Sequence, residues 1–399
     1  MNILYDGILK LVKSALVNEP CVPAEDFVLS DALDSIKAHH LTSLVYNGAL
    51  ICGYSDKSPE MAKLMSWYIK RLMQSENQMY EISMILDAFE KDGIDCMPLK
   101  GTLLKELYPK QDMREMSDSD ILIKEAQYEG IKRIMEGFGF DFFVESDHEY
   151  VFKKGTVSIE FHKSLVPSYN KDMYAYYENV WQKSHKKKGK NYIYEMSSED
   201  NYIYNFAHMA KHYRDGGVGV KHFTDLWLVL KSSPDINKEY IINELKKMGL
   251  DDFYKNVIRV IAVWFDGESS DELTDYITEN VFAGGAYGSE EKNRIASHAN
   301  GGNDSSGKSK YSERLWAKLF PDYKSMCYSY PVLEKHPVLL PIMWVRRAFS
   351  FVFVPSKRKQ MKQTMDIISP ETINSYEMSL KYVGLDPCAR NKNNNGDLK

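Results

Sequence analysis

Along residues 1–90, apolar positions recur at steps of three and four, the period of a helix that buries one face. Leu4, Ile8, Leu11, Val12, Ala15 and Leu16 form one such stripe, with Asp6, Lys10 and Lys13 on the other side. DALDSIKAHHLTSLVYNGAL and PEMAKLMSWYIKRLMQSENQMYEISMILDAFEKDG continue the pattern, and Gly93 stands where it can cap the second. Past Gly93 the period changes. IDCMPLK predicts a short strand stopping near Pro98, GTLLKELY a helix, DSDILIK a strand and EAQYEGIKRIMEGFG a helix closed by glycines. DFFVESDHEYVFKKGTVSIEFHKSL predicts a hairpin turning around Lys154 and Gly155. Helical spacing returns in SEDNYIYNFAHMAKHYRD, HFTDLWLVLKSS and NKEYIINELKKMG.

These elements divide the chain into a helical region at 1–90, an α/β core at 91–170 and a second helical region at 171–282. A Gly/Ser/Asn-rich loop, expected to be mobile, follows at 283–311, then a C-terminal helical region at 312–390 and a disordered tail at 391–399. The fold class this predicts is α+β, a small mixed sheet with helices embedded in mostly helical N- and C-terminal regions. MWVRRAFSFVFVPSKRKQMKQ is apolar and then basic, a packed helix with a solvated basic end at 357–362. Pro355 breaks its amphipathic stretch and argues against contact with a membrane surface. No internal repeat is present.

Composition narrows the class. At 399 residues the chain is long enough for two or three domains, and 44% hydrophobic with 27% charged residues is an ordinary globular balance. A net charge of −5 argues against a protein built to coat nucleic acid. Cys21, Cys52, Cys96, Cys327 and Cys388 are scattered without paired spacing, which fits reduced thiols better than a disulfide framework or a zinc site. The N-terminal stripe has no uninterrupted apolar core, and no run of about 18 uncharged apolar residues occurs. No membrane span and a cytoplasmic location are expected.

The chemistry gathers around two aspartates. On the predicted strand Asp118 and Asp120 share a face, with Ser119 pointing away, and Ile121, Leu122 and Ile123 suit a strand buried on both sides. Carboxylates this close raise each other's pKa unless a cation lies between them. In TVSIEFHK, Val157, Ile159 and Phe161 share one face while Ser158, Glu160 and His162 share the other. If the two strands are neighbours, three carboxylates converge. Three hard oxygen ligands describe a magnesium site that leaves the remaining coordination to water and phosphates. Two such ions can activate an attacking oxygen and steady a leaving one. An Asp-x-Asp before an apolar run also serves as a strand-entry cap, but the Lys-Gly-Thr turn ahead and the Ile-Glu-Phe behind favour the metal.

Through PLKGTLLKELYP, REMSDSDILIK and IEFHKSL the chain resembles the DNA polymerase beta-like nucleotidyltransferases, in particular a bacterial branch of uncharacterised members. The resemblance is specific over residues 94–165 and weaker over the helices at 200–230 and in the segment ending LEKHPVLLPIMWVRR. It implies a polymerase-beta-like core and transfer of a nucleoside monophosphate from a triphosphate to an acceptor hydroxyl or amine, with release of pyrophosphate. It also implies two Mg2+ ions, for which Mn2+ can substitute. Gly101 and Thr102 would take the place of the family's Gly-Ser pair, which holds the terminal phosphates. Asp118 and Asp120 match the metal-binding aspartates, and Glu160 matches the third carboxylate, which binds metal and helps activate the acceptor. Threonine in place of serine and a slightly longer gap to Asp118 depart from the pattern without removing a chemical group.

Phosphoryl-type transfer rests on positioning and charge neutralisation, so cations are expected around the nucleotide. Lys100 and Arg114 are candidates, each alternatively a surface charge or the partner of a nearby acid. Lys221 resembles the family's basic helical residue that reaches the triphosphate, with Asp225 placed to orient it. His208 and His212 share a helix face. Met209 stands where a zinc protease needs glutamate, so that reading fails, leaving structural or base-contacting roles. His162 could hydrogen-bond Glu160 or the acceptor. The run KSHKKKGKN reads as a solvated loop. A nucleoside triphosphate and a small molecule, sugar or protein acceptor are therefore the expected partners. An RNA end would want a basic groove. The rival from another class is a catalytically inert nucleotidyltransferase-fold binding or antitoxin-like module, against which the complete carboxylate set speaks.

Overall fold

The computed structural model describes residues 1–167, 171–300, 320–321, 323, 326–327, 330, 332–355, 358–359, 362, 366 and 369–385. Four helices open the chain, α1 Ile3–Val17, α2 Leu29–Ala38, α3 Thr42–Ile51 and α4 Pro59–Asp92. Asn2 and Ser58 cap the starts of α1 and α4 with their side chains, while Asn18 and Gly93 end them in the left-handed conformation. The stretch at 31–50 is two helices where one is expected. His40, at φ 55, cannot continue a right-handed helix and turns the chain between α2 and α3.

Beyond Gly93 lie β1 Cys96–Pro98, a one-turn α5 Gly101–Leu104, β2 Ser119–Ile123, α6 Tyr128–Gly137, β3 Asp141–Glu145, β4 Glu149–Lys154 and β5 Val157–His162. The GTLLKELY segment continues as a 3-10 turn, Lys105–Leu107, and ends at Tyr108, which Pro109 holds in extended backbone. The strands form one mixed sheet in the order β1-β2-β5-β4-β3. β2 runs antiparallel to β1 and parallel to β5, and β4 is antiparallel to both β5 and β3. The single hairpin expected over 141–165 is thus three strands. Gly155, at φ 57, makes the expected turn between β4 and β5.

Period-two alternation divides the two faces of this sheet. Ile121, Ile123, Phe152, Ile159 and Phe161 pack with Ile82, Ile85 and Phe89 of α4 and with Ile131 and Met135 of α6. Leu122 faces the other way, among Met97, Leu99, Leu165, Val166 and Tyr204. Gln78 of α4 donates to Ser119 Oγ at 3.1 Å, so Ser119 looks at α4 and Asp120 at the opposite side.

The following elements are α7 Lys171–Tyr177, α8 Val180–Lys183, the two-stranded pair β6 His185–Lys186 and β7 Tyr194–Glu195, α9 Ser198–Asp215, α10 Val220–Ser232, α11 Lys238–Lys247, α12 Asp251–Ile261, α13 Glu272–Gly284 and α14 Glu290–Asn300. The expected solvated loop at 183–190 therefore includes an exposed strand. The expected mobile loop at 283–311 is regular as far as Asn300, since Ser289 caps α14 by accepting from the Lys292 amide; residues 301–311 lie outside the described residues.

The chain forms two compact units, one of Met1–Lys211 with Val218–Tyr287, the other of His212–Gly217 with Gly288–Lys399. The regions 1–90, 91–170 and most of 171–282 thus share one unit. In the second unit the apolar stretch forms the helix Leu340–Phe353, ending ahead of Pro355. Part of the basic segment 357–362 and all of 391–399 lie outside the described residues. Cys21, Cys52, Cys96 and Cys327 are free. Among the described residues no helix is long and apolar enough to cross a membrane.

Candidate functional site

The parallel register of β2 and β5 sets Asp120 directly opposite Glu160. Both project on the face away from α4. Asp118 immediately precedes β2. It is half-buried and accepts a hydrogen bond from Ser117 at 3.2 Å. Its charge still reaches the pair. Burial first, then Asp118 and Asp120, push the Glu160 carboxyl up to about 8.

Asp120 accepts from two groups on one oxygen. Lys100 Nζ is 2.7 Å and His162 Nε2 is 2.8 Å from Asp120 Oδ1. Burial works to raise the Asp120 pKa, but Lys100 and His162 outweigh it and hold the carboxyl well below the usual range. Burial likewise works against the Lys100 ammonium, and Tyr204 and Asp120 beside it reverse the balance and raise it. Lys100 reaches this position from φ 44 and ψ −118, a sparsely populated conformation for a residue with a side chain, which costs about 1–3 kcal/mol.

A Cβ on Gly101 would come within 2.3 Å of Met116 Sδ and 2.5 Å of Arg114 Nη1, so the close approach here requires glycine. The neighbouring Thr102 hydroxyl is buried and has no hydrogen-bond partner. Arg114 grips Asp225 with Nε and Nη2, both at 2.8 Å, and Tyr108 donates to the same carboxylate at 2.7 Å. This buried fork ties the loop before β2 to α10. Arg114 is thus the partner of an acid, one of its two expected roles, and its Nη1 lies against the Gly101 turn. The hydrogen bonds of Asp225 go to Arg114 and Tyr108. Lys221 lies with its ammonium 4.9 Å from the centre of the Tyr287 ring, and the Tyr287 hydroxyl is 2.8 Å from Ser117 Oγ. Burial and then Arg114 lower the Lys221 pKa, against the pull of Asp225 and Asp118.

The family model described as an uncharacterised nucleotidyltransferase matches residues 26–266, more than half of the chain. The chain belongs to that family. No curated protein and no solved structure matches it. The family points to nucleotidyl transfer, with a nucleotide as substrate. The matched span contains Lys100, Arg114, Asp118, Asp120, Glu160, Lys221 and Asp225.

The histidines fall in three places. His162 is buried and bonds Asp120, with Glu160 Oε2 further off at 3.9 Å. His208 and His212 do lie four apart on α9, but His208 lines a cavity with Leu165, Val166, Tyr177 and Tyr204, whereas His212 belongs to the second unit. Among the described residues, two groups of metal-ligating side chains bring one ligand atom each within 4.8 Å of one another: Asp120 with Glu160 and His162, and His148 with Glu149 and His162. The second group escaped the sequence reading, yet its signal was there. Counting back from the turn at Gly155 puts Glu149 opposite His162. Tyr204 and Tyr287 were also missed, and neither sits in a motif that could reveal it.

Proposed function

We propose that this chain is a magnesium-dependent nucleotidyltransferase with a polymerase-beta-like core. It would act in the cytoplasm, moving a nucleoside monophosphate from a triphosphate onto a hydroxyl or amine of a small molecule, sugar or protein. The observation that carries this reading is the facing pair Asp120 and Glu160 with Asp118 at the mouth of β2. Burial, joined by the charges of Asp118 and Asp120, lifts the Glu160 carboxyl to about 8, an electrostatic state a divalent cation relieves. Asp118, Asp120 and Glu160 are hard oxygen donors and would hold magnesium, and manganese suits the same set. Bound ions would neutralise phosphate charge and steady the departing pyrophosphate.

The chain's own groups do the rest. The bare backbone of Gly101 and the unpartnered Thr102 hydroxyl would receive the β- and γ-phosphates. Lys221 and Lys100 would supply positive charge beside them. The acceptor oxygen or nitrogen attacks the α-phosphorus as the bond to the bridging α–β oxygen breaks. Pyrophosphate leaves, and the acceptor's proton passes to Glu160. One observation favours the rival reading as an inert binding module: Lys100 already neutralises Asp120.

Thermal stability with ATP, GTP, CTP or UTP, with and without magnesium, separates the two readings on wild type and Asp118→Asn. Ligands that bind only the folded state raise the melting temperature by mass action. Magnesium-dependent stabilisation by one nucleotide, lost in the variant, supports the transferase. No shift with any nucleotide supports the inert module.

A further inference from the structure

We propose that His148, Glu149 and His162 form a second metal site, built for a borderline divalent transition ion such as zinc and separate from the carboxylate site. β4 begins at Glu149, and its antiparallel register sets Glu149 opposite His162 of β5. The Asp120 carboxylate can only accept, so His162 Nε2 must be the donor in their 2.8 Å bond. The other ring nitrogen, Nδ1, is buried, has no hydrogen-bond partner and lies 3.8 Å from Glu149 Oε2. A buried polar nitrogen left without a partner calls for an explanation, and a cation held between it and Glu149 supplies one.

His148 repeats the pattern. Its Nδ1 is 2.9 Å from Asp147 Oδ1 and its Nε2 is 3.3 Å from Glu149 Oε2. Each imidazole therefore has a carboxylate on its far nitrogen, Asp120 for His162 and Asp147 for His148, the outer support that fixes a metal-binding tautomer. Two nitrogens and one oxygen suit zinc, cobalt or nickel better than magnesium, and three protein ligands leave a fourth position open. Because His162 spans both sites, an ion here locks the ring that holds Asp120.

The test uses the full chain, stripped of metal by chelation and dialysed against zinc chloride. We expect about one zinc per chain, with affinity reduced by at least tenfold in His148→Ala and in Glu149→Gln. Asp118→Asn should bind zinc as wild type does, which keeps this result independent of the nucleotidyltransferase reading. His148 is half-buried in the turn between β3 and β4, and circular dichroism checks that its variant folds. Absence of a stoichiometric zinc, equal binding by His148→Ala, or full displacement by millimolar magnesium would each overturn the proposal.

Discussion

Lys100 and Asp120 are joined by a 2.7 Å ion pair that a lysine backbone at positive φ delivers. The first carboxylate of the motif lies before the strand and half in solvent, whereas the second is buried between two donors. The two aspartates should therefore fail in different ways.

Asp118→Asn should lower nucleotidyl transfer by about a thousandfold or more with an unchanged urea midpoint. Asp120→Asn should abolish transfer and also destabilise the fold by about 3–5 kcal/mol, because Lys100 and His162 lose their buried counter-charge. Pyrophosphate release and urea unfolding measured on both variants distinguish these outcomes. Equal stability of the two would contradict the buried pairing.

Arg114→Lys keeps the charge but loses the fork on Asp225, and should cost about 1–3 kcal/mol. Gly101→Ala presses on the same guanidinium and should cost a similar amount. A double-mutant cycle by urea unfolding should give less than the sum of the two, since the second change acts on a clamp already displaced. Strict additivity would separate Gly101 from the clamp.

Glu160 carries the opposite sign from most carboxyls. Its pKa of about 8 when folded lies above the unfolded value near ~4.3, so the folded state holds an extra proton between these pH values. Metal-free stability should fall as pH rises from 5 to 8, and Glu160→Gln should flatten that decline. Magnesium binding at pH 7 should release about one proton, read by calorimetry in buffers of different ionisation enthalpy.

Lys105 is fully buried, donating to Ser75 Oγ at 2.6 Å and to the Gln111 carbonyl at 3.2 Å. Burial and then Arg114 lower its pKa to about 8, below the unfolded lysine value. The unfolded chain then binds more protons between pH 8 and 10.5, so this residue's contribution to stability rises with pH across that window. Wild type should gain up to about 3 kcal/mol relative to Lys105→Met over that range, measured by chemical denaturation.

The sheet and its carboxylates were legible because period-two patterns are local. Ile121 to Ile123 and the alternation in TVSIEFHK announce strands, and the pairing of Asp120 with Glu160 needed only the assumption that those strands touch. What stayed open depended on partners far along the chain. Arg114 reads equally as a phosphate contact, a surface charge or the partner of an acid until Asp225, on a helix about a hundred residues later, closes on it. Asp118 falls outside β2, which begins at Ser119, and nothing in DSDILIK marks that boundary. The helix that replaces the first part of the 283–311 loop is largely polar, with Ile295 and Ala296 its buried apolar residues, too few to make a stripe that betrays it.

The parallel contact between β2 and β5 has a consequence for the protein's synthesis. A ribosome that has delivered Asp118 and Asp120 has made half a site, with the opposing carboxylate still some forty residues from being translated. Joining the halves requires closure of a long intervening segment that includes α6, β3 and β4. A nascent or truncated chain ending before Glu160 would leave these aspartates without their opposing strand.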